Sequence, residues 1–140
     1  MRAVAALGLV LAFAAPAFAS DPAVRTYAAD FDRVWSAVEQ AVQAEGWGID
    51  DEARPLGLLV TNTRRVAGSD LGLFPITHRA RMRLTVVPAG NGRTRVQIMR
   101  EVLRRERVLW IERDEPVPVT DALAGRAAEE RVLAAIARRL

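Results

Sequence analysis

Hydrophobic residues first recur at helical spacing between Asp30 and Glu45. The order DFDRVWSAVEQAVQAE sets Phe31, Val34, Trp35, Val38, Ala41 and Val42 on one side, the repeat of an amphipathic helix. Asp30 suits an N-cap, Asp32 the positive end of the helix dipole, and Gly46 a C-terminal stop. Such a stripe reads as core rather than as a ligand site. Two short strands are expected next, in WGIDD and LGLLVTNT, joined through Arg54-Pro55. Val66 to His78, VAGSDLGLFPITH, holds two glycines and a proline and reads as a loop longer than the usual connection. Its Leu71, Leu73 and Phe74 would fold back over the core or face a partner.

The period then changes from helical to alternating. RARMRLTVVPAGNGRTRVQIMREV reads as a hairpin turning at Gly90-Asn91-Gly92. Pairing Val86 with Val96 and Leu84 with Ile98 keeps apolar opposite apolar, and a one-residue slip would invert a strand. This register puts Ala89 opposite Arg93 across a three-residue turn. Ala80, Met82, Leu84, Val86, Val96, Ile98 and Val102 then face inward. Arg79, Arg81, Arg83, Thr85, Arg95 and Gln97 face outward, with Arg81 opposite Glu101 and Arg83 diagonal to it. Arg100 lands on the inner face and is expected at a sheet edge or beside a bulge.

RVLWIER, Arg107 to Arg113, reads as one further strand, and the two prolines of DEPVPVTD as a break from regular structure. The closing stretch from Asp121 reads as a helix with Ala128, Val132, Leu133, Ile136, Ala137 and Leu140 on its apolar face. Glu129 and Glu130 stand toward its start and Arg138 and Arg139 at its end, as the dipole favours. Helix, antiparallel strands and helix together imply an α+β two-layer sandwich. The expected variant is helix-grip-like, with an N-terminal helix and a long C-terminal helix held by an antiparallel sheet.

Residues 1–19, MRAVAALGLVLAFAAPAFA, carry one positive charge, an apolar run and an A-x-A site. This is the layout of a signal peptide cleaved after Ala19; an uncleaved anchor is the alternative. Cleavage leaves residues 20–140 as one α+β domain, periplasmic or secreted. There is no lipid-anchor cysteine, and no later run is long enough to span a bilayer. With Cys at 0 there is neither disulfide nor thiol chemistry. The 20 basic residues are all arginine, so no lysine can form a Schiff base, and each cation favours forked contacts to carboxylate or phosphate. A net charge of +3, lowered by one on loss of Arg2, makes nucleic acid a poor partner for an exported chain.

Few residues offer reaction chemistry. His78, the single histidine, stands beside Arg79, and Ser69 and Asp70 stand near it at no triad spacing. Asp50, Asp51 and Glu52 could supply oxygen ligands, but neighbours on a strand point to opposite faces. No phosphate loop, HExxH or CxxC occurs. The expectation is a non-enzymatic protein with no cofactor and no metal. Candidate binding residues are Arg79, Arg81, Arg83 and Arg95 on the outer face, with Leu71, Leu73 and Phe74 in the loop. Trp47 and Trp110 both suit a core; either one exposed beside the arginines would make an interface anchor.

YAADFDRVWSAVEQAVQAEGWGIDDEARPLGLLVTNT resembles the opening of the repeated domains of the NlpB/DapX lipoproteins, the C subunit of the outer-membrane β-barrel assembly machinery. The likeness rests on Tyr27 and Phe31 leading into a helix with Trp35, on Gly46-Trp47 and the acidic turn, on the G-x-L-x-T strand from Gly57, and on the closing EERVLAAIARRL. The lipobox cysteine is missing, and one domain stands where that family has two. The resemblance implies a helix-grip domain and a role among envelope proteins, in outer-membrane assembly. The alternative is a carrier of an apolar or anionic lipid, with a cavity between sheet and helix lined by Met82, Leu84, Ile98 and Ile136.

Overall fold

The computed structural model describes residues 21–66, 77–118 and 126–140. The expected signal peptide, the loop residues Leu71, Leu73 and Phe74, and residues 121–125 of the expected second helix lie outside the described residues. Among them the fold is α+β, two helices with an antiparallel sheet of 7 strands.

Helix α1 runs Phe31–Ala44 and begins as its sequence dictates. Asp30 caps it by accepting a hydrogen bond from the Arg33 backbone N–H at 2.9 Å. Its end is a Schellman turn: Gly46 takes φ 79°, the Gly46 N–H donates to the Gln43 carbonyl and the Trp47 N–H to the Val42 carbonyl. Val34, Trp35, Val38, Ala41 and Val42 are fully buried.

The strands are β1 Ala23–Tyr27, β2 Ile49–Ala53, β3 Leu58–Thr61, β4 Arg64–Arg65, β5 Thr77–Gly90, β6 Arg93–Val108 and β7 Ile111–Val117. The main path is β1-β6-β5-β3-β2, with β4 on β5 and β7 on β6. β1 was not legible as a strand beforehand, and β5 begins inside the expected loop, taking Thr77 and His78 into the sheet. The register Val86–Val96, Leu84–Ile98 and Arg81–Glu101 is the one the alternation requires. The turn is one residue shorter than expected. Gly90 pairs with Arg93, the register shifts between Pro88 and Gly90, and Asn91-Gly92 alone make the turn, both at positive φ. Asn-Gly is the favoured pair for a two-residue hairpin.

One core joins the helices and the sheet. Met82, Leu84 and Val86 of β5, Val96 and Ile98 of β6 and Leu59 of β3 pack with α1 and with Val132, Leu133 and Ile136 of helix α2, Ala127–Ala137. α2 is shorter than the long helix expected from Asp121, and Ala137 on its expected apolar face is exposed, with Ala135 buried instead. Two buried polar bonds fasten the layers. The Tyr27 hydroxyl donates to the Leu133 carbonyl at 2.7 Å, and the Thr94 hydroxyl to the Ala29 carbonyl at 2.9 Å.

Length decides what the helices leave uncovered. β6 has 16 residues, about 50 Å of extended chain, whereas the 14 residues of α1 rise only about 21 Å. The core cluster stops at Met82 and Ile98, and β6 runs on past it to pair with β7. RVLWIER is therefore two strands with a turn between them. Val108 pairs with Ile111, and Leu109 and Trp110 form the bend. DEPVPVTD also departs from expectation, because Asp114 to Val117 continue β7. Pro116 is tolerated there because β7 is an edge strand.

Candidate functional site: the arginine face and the β6–β7 tip

The outward arginines of β5 are largely bound to their own protein. Arg79 donates from Nε to the Thr63 hydroxyl at 2.8 Å and from a terminal nitrogen to the Thr63 carbonyl at 2.9 Å. Arg81 meets Glu101 at 2.7 Å, and Arg83 reaches the other oxygen of that carboxylate at 3.6 Å. Arg95 is exposed, opposite Val87 on one side and Thr26 on the other. The structure thus brings Arg79, Arg81 and Arg83 into one row and gives each of them a partner within the protein. Leu71, Leu73 and Phe74 lie outside the described residues.

Arg100 stands where β6 is a local edge, between Ile98, the last residue paired with β1, and Val102, the first paired with β7. It stands opposite Met82 on the inner face and meets Glu129 of α2 at 3.4 Å. The two side chains are 13% and 1% exposed. This buried ion pair closes the core where the apolar cluster ends. Glu129 also occupies the first turn of α2, where the helix dipole favours a carboxylate.

The acidic run does not gather into a site. Asp50, Asp51 and Glu52 are exposed along β2, and among the described residues no group of three or more histidines and carboxylates is placed to hold a metal. His78 is half-buried in β5 opposite Arg104. An open groove of about 590 Å³ is lined by Phe31, Arg54, Pro55, Leu56, Val87 and Pro88. Met82, Leu84, Ile98 and Ile136, the lining expected of a carrier, are instead fully buried in the packed core.

The most distinctive surface is the β6–β7 end. Leu109 is 74% exposed, Trp110 81% and Ile111 59%. Leu109 has φ 59°, a left-handed conformation that costs a branched side chain about 1–2 kcal/mol. The other hairpin, in the same sheet, meets this demand with Asn-Gly.

Beneath the tip four successive rows of the arm pair opposite charges: Arg107 with Glu112, Glu106 with Arg113, Arg105 with Asp114, Arg104 with Glu115. Arg105 grips Asp114 with two bonds of 2.7 and 2.8 Å and reaches Glu112 at 3.4 Å. The Arg105 hydrogen bonds hold the Asp114 carboxyl below its ordinary range, partly offset by burial. They push the Arg105 guanidinium up in turn. Arg104 holds Glu106 at 2.8 Å and Glu115 at 3.6 Å. Two arginines thus satisfy the four acids, and Arg107 and Arg113, nearest the tip, make no ion pair among the described residues.

The sequence marked Trp110 as an anchor if exposed, but not the turn that exposes it, because Leu-Trp is not turn chemistry. The signal that could have found it is the sign reversal of the charges about Leu109-Trp110. No protein-family model matches the chain, and no curated protein is recognisably similar to it.

Proposed function

We propose that this chain is an exported, non-enzymatic interaction module of the cell envelope that engages its partner through the β6–β7 tip. The carrying observation is Trp110, a large aromatic held almost fully in solvent on a turn that strains its neighbour Leu109. Exposed aromatics on a well-paired scaffold are the residues that anchor contacts. Strain maintained at a surface turn is a reason to look for function there.

Three further readings accompany this one. The N-terminal nineteen residues support export to the periplasm or beyond. The helices and sheet sharing one core support the two-layer, helix-grip-like architecture and with it the likeness to the NlpB/DapX domains. On that likeness the chain works among envelope proteins, in outer-membrane assembly. The carrier reading has less to stand on, since its proposed lining is packed rather than hollow.

Replacing Trp110 with a photo-cross-linking residue in cells that make this protein tests the contact. Adducts with an envelope component support the module. Illumination that yields no adduct at Trp110, while a probe at buried Leu84 cross-links within the chain, removes the tip as a contact surface.

A further inference from the structure

We infer that the tip's partner is a lipid surface: Leu109, Trp110 and Ile111 enter the headgroup boundary of an anionic bilayer, and Arg107 and Arg113 meet its phosphates. This rests on reading the tip as the contact surface and adds what it touches.

The geometry of the cations favours a plane over a protein pocket. Successive residues of a strand alternate faces. Arg107 stands on the outer face, and Arg113, opposite Glu106, on the helix-side face. The apolar end is therefore collared on each side by an arginine that makes no ion pair among the described residues. A bilayer entered end-on presents phosphates around the whole tip, so arginines on both of its faces can be met at once. Guanidinium groups take phosphate in forked geometry, and their apolar stems can lie along the buried part of the tip. The acids of the arm do not oppose this, because Arg104 and Arg105 already pair with them.

Position and residue type agree. β5 starts at Thr77, opposite Arg105, so from Glu106 outward β6 and β7 pair only with each other among the described elements. That narrow two-stranded end can enter a surface without dragging the body with it. Trp is the residue most at home at a membrane interface, with an apolar body and a polar N–H. A second copy of the chain is a poorer occupant. One aromatic and two aliphatic side chains fall well short of the roughly 800 Å² per partner of a stable dimer. Binding should be weak and reversible, as with a single lipid chain.

The test uses the chain isolated from its native envelope, with vesicles of phosphatidylethanolamine and phosphatidylglycerol, and vesicles of phosphatidylcholine alone. Of the three tryptophans Trp35 and Trp47 are buried, so emission changes report Trp110. Anionic vesicles should shift its emission to the blue and shield it from acrylamide. Sedimentation with them should fall about tenfold for Trp110→Ser, a modest estimate from the area of one aromatic. Arg107→Gln with Arg113→Gln should weaken binding to the anionic vesicles more than to the neutral ones. Unchanged thermal melting of these exposed-site variants shows that folding is intact. Unshifted emission, with equal sedimentation of parent and Trp110→Ser, overturns the inference. If Trp110 then cross-links a discrete protein in cells, the contact reading stands and only the lipid is lost; no adduct removes both.

Discussion

Two residues store measurable free energy at opposite ends of the sheet. Tyr27 is the only tyrosine, and burial pushes its hydroxyl up to about 12, with nearby Arg25 pulling the other way. A folded-state value above the unfolded 10.0 means that the fold holds this proton more tightly. Its contribution is complete below pH 10 and is lost as pH rises through 10 to 12, because the unfolded chain ionises first. Ultraviolet absorbance titration should show one late phenolic transition. Tyr27→Phe should flatten the alkaline limb of stability while losing the bond to the Leu133 carbonyl; a transition near pH 10 would refute this. At the other end, Leu109→Gly relieves the φ of 59°. Urea denaturation should show a gain of up to about 1 kcal/mol, less what glycine's freedom costs in the unfolded chain. A gain in stability with a loss of binding would show that the strain is kept for the contact.

Between elements, the Arg100–Glu129 pair joins β6 to α2 where the apolar cluster shared by helices and sheet ends. Neither Glu129 oxygen has a hydrogen-bond donor among the described residues, so the Arg100 contact is what answers the buried charge. Arg100→Met strands that carboxylate and should cost about 3–5 kcal/mol, whereas Arg100→Met with Glu129→Leu should recover most of it. A double-mutant cycle showing additive effects would deny the coupling. This pair also marks where sequence reading stopped. Arg100 was recognisably on the inner face from alternation alone, but its partner lies on a distant helix, and no local pattern joins the two. α1 and the β5–β6 register were legible because their period and caps are local. β1, Ala23–Tyr27, was not, since five residues with little alternation carry too weak a signal. The arm stayed hidden for a different reason. Its turn is made by Leu109-Trp110 rather than Asn-Gly, so the only mark of the reversal was complementary charge on either side. The arginine row was legible as a face, but its internal use of Thr63 required the β4–β5 pairing to be seen.

At the scale of the molecule, a well-packed body carries an arm stabilised by quite different forces. The body buries one apolar cluster between helices and sheet, while six of the seven β7 residues are exposed. The arm is held by backbone pairing to β6 and by charge, in ion pairs that are weak one at a time and stronger as a network. Its stability should therefore fall in acid before the body's does. The Asp114 carboxyl is depressed by its bonds to Arg105. Its contribution is present above its ordinary value of 3.8 and is lost as pH falls below that toward the folded-state value. Hydrogen exchange, corrected for intrinsic rates, should show β7 and the outer half of β6 opening as pH falls below 3.8 while the amides of Leu84 and Ile98 stay protected. Asp114→Asn should produce the same open arm at neutral pH without lowering protection in the body. High salt should act in the same direction, because the arm's charges are close to water. If arm and body instead lose protection together in acid, the arm is not an independent unit. An arm that opens alone would mean that the tip is presented by a separately adjustable element, one whose hold on a surface weakens with acid and salt while the fold behind it survives.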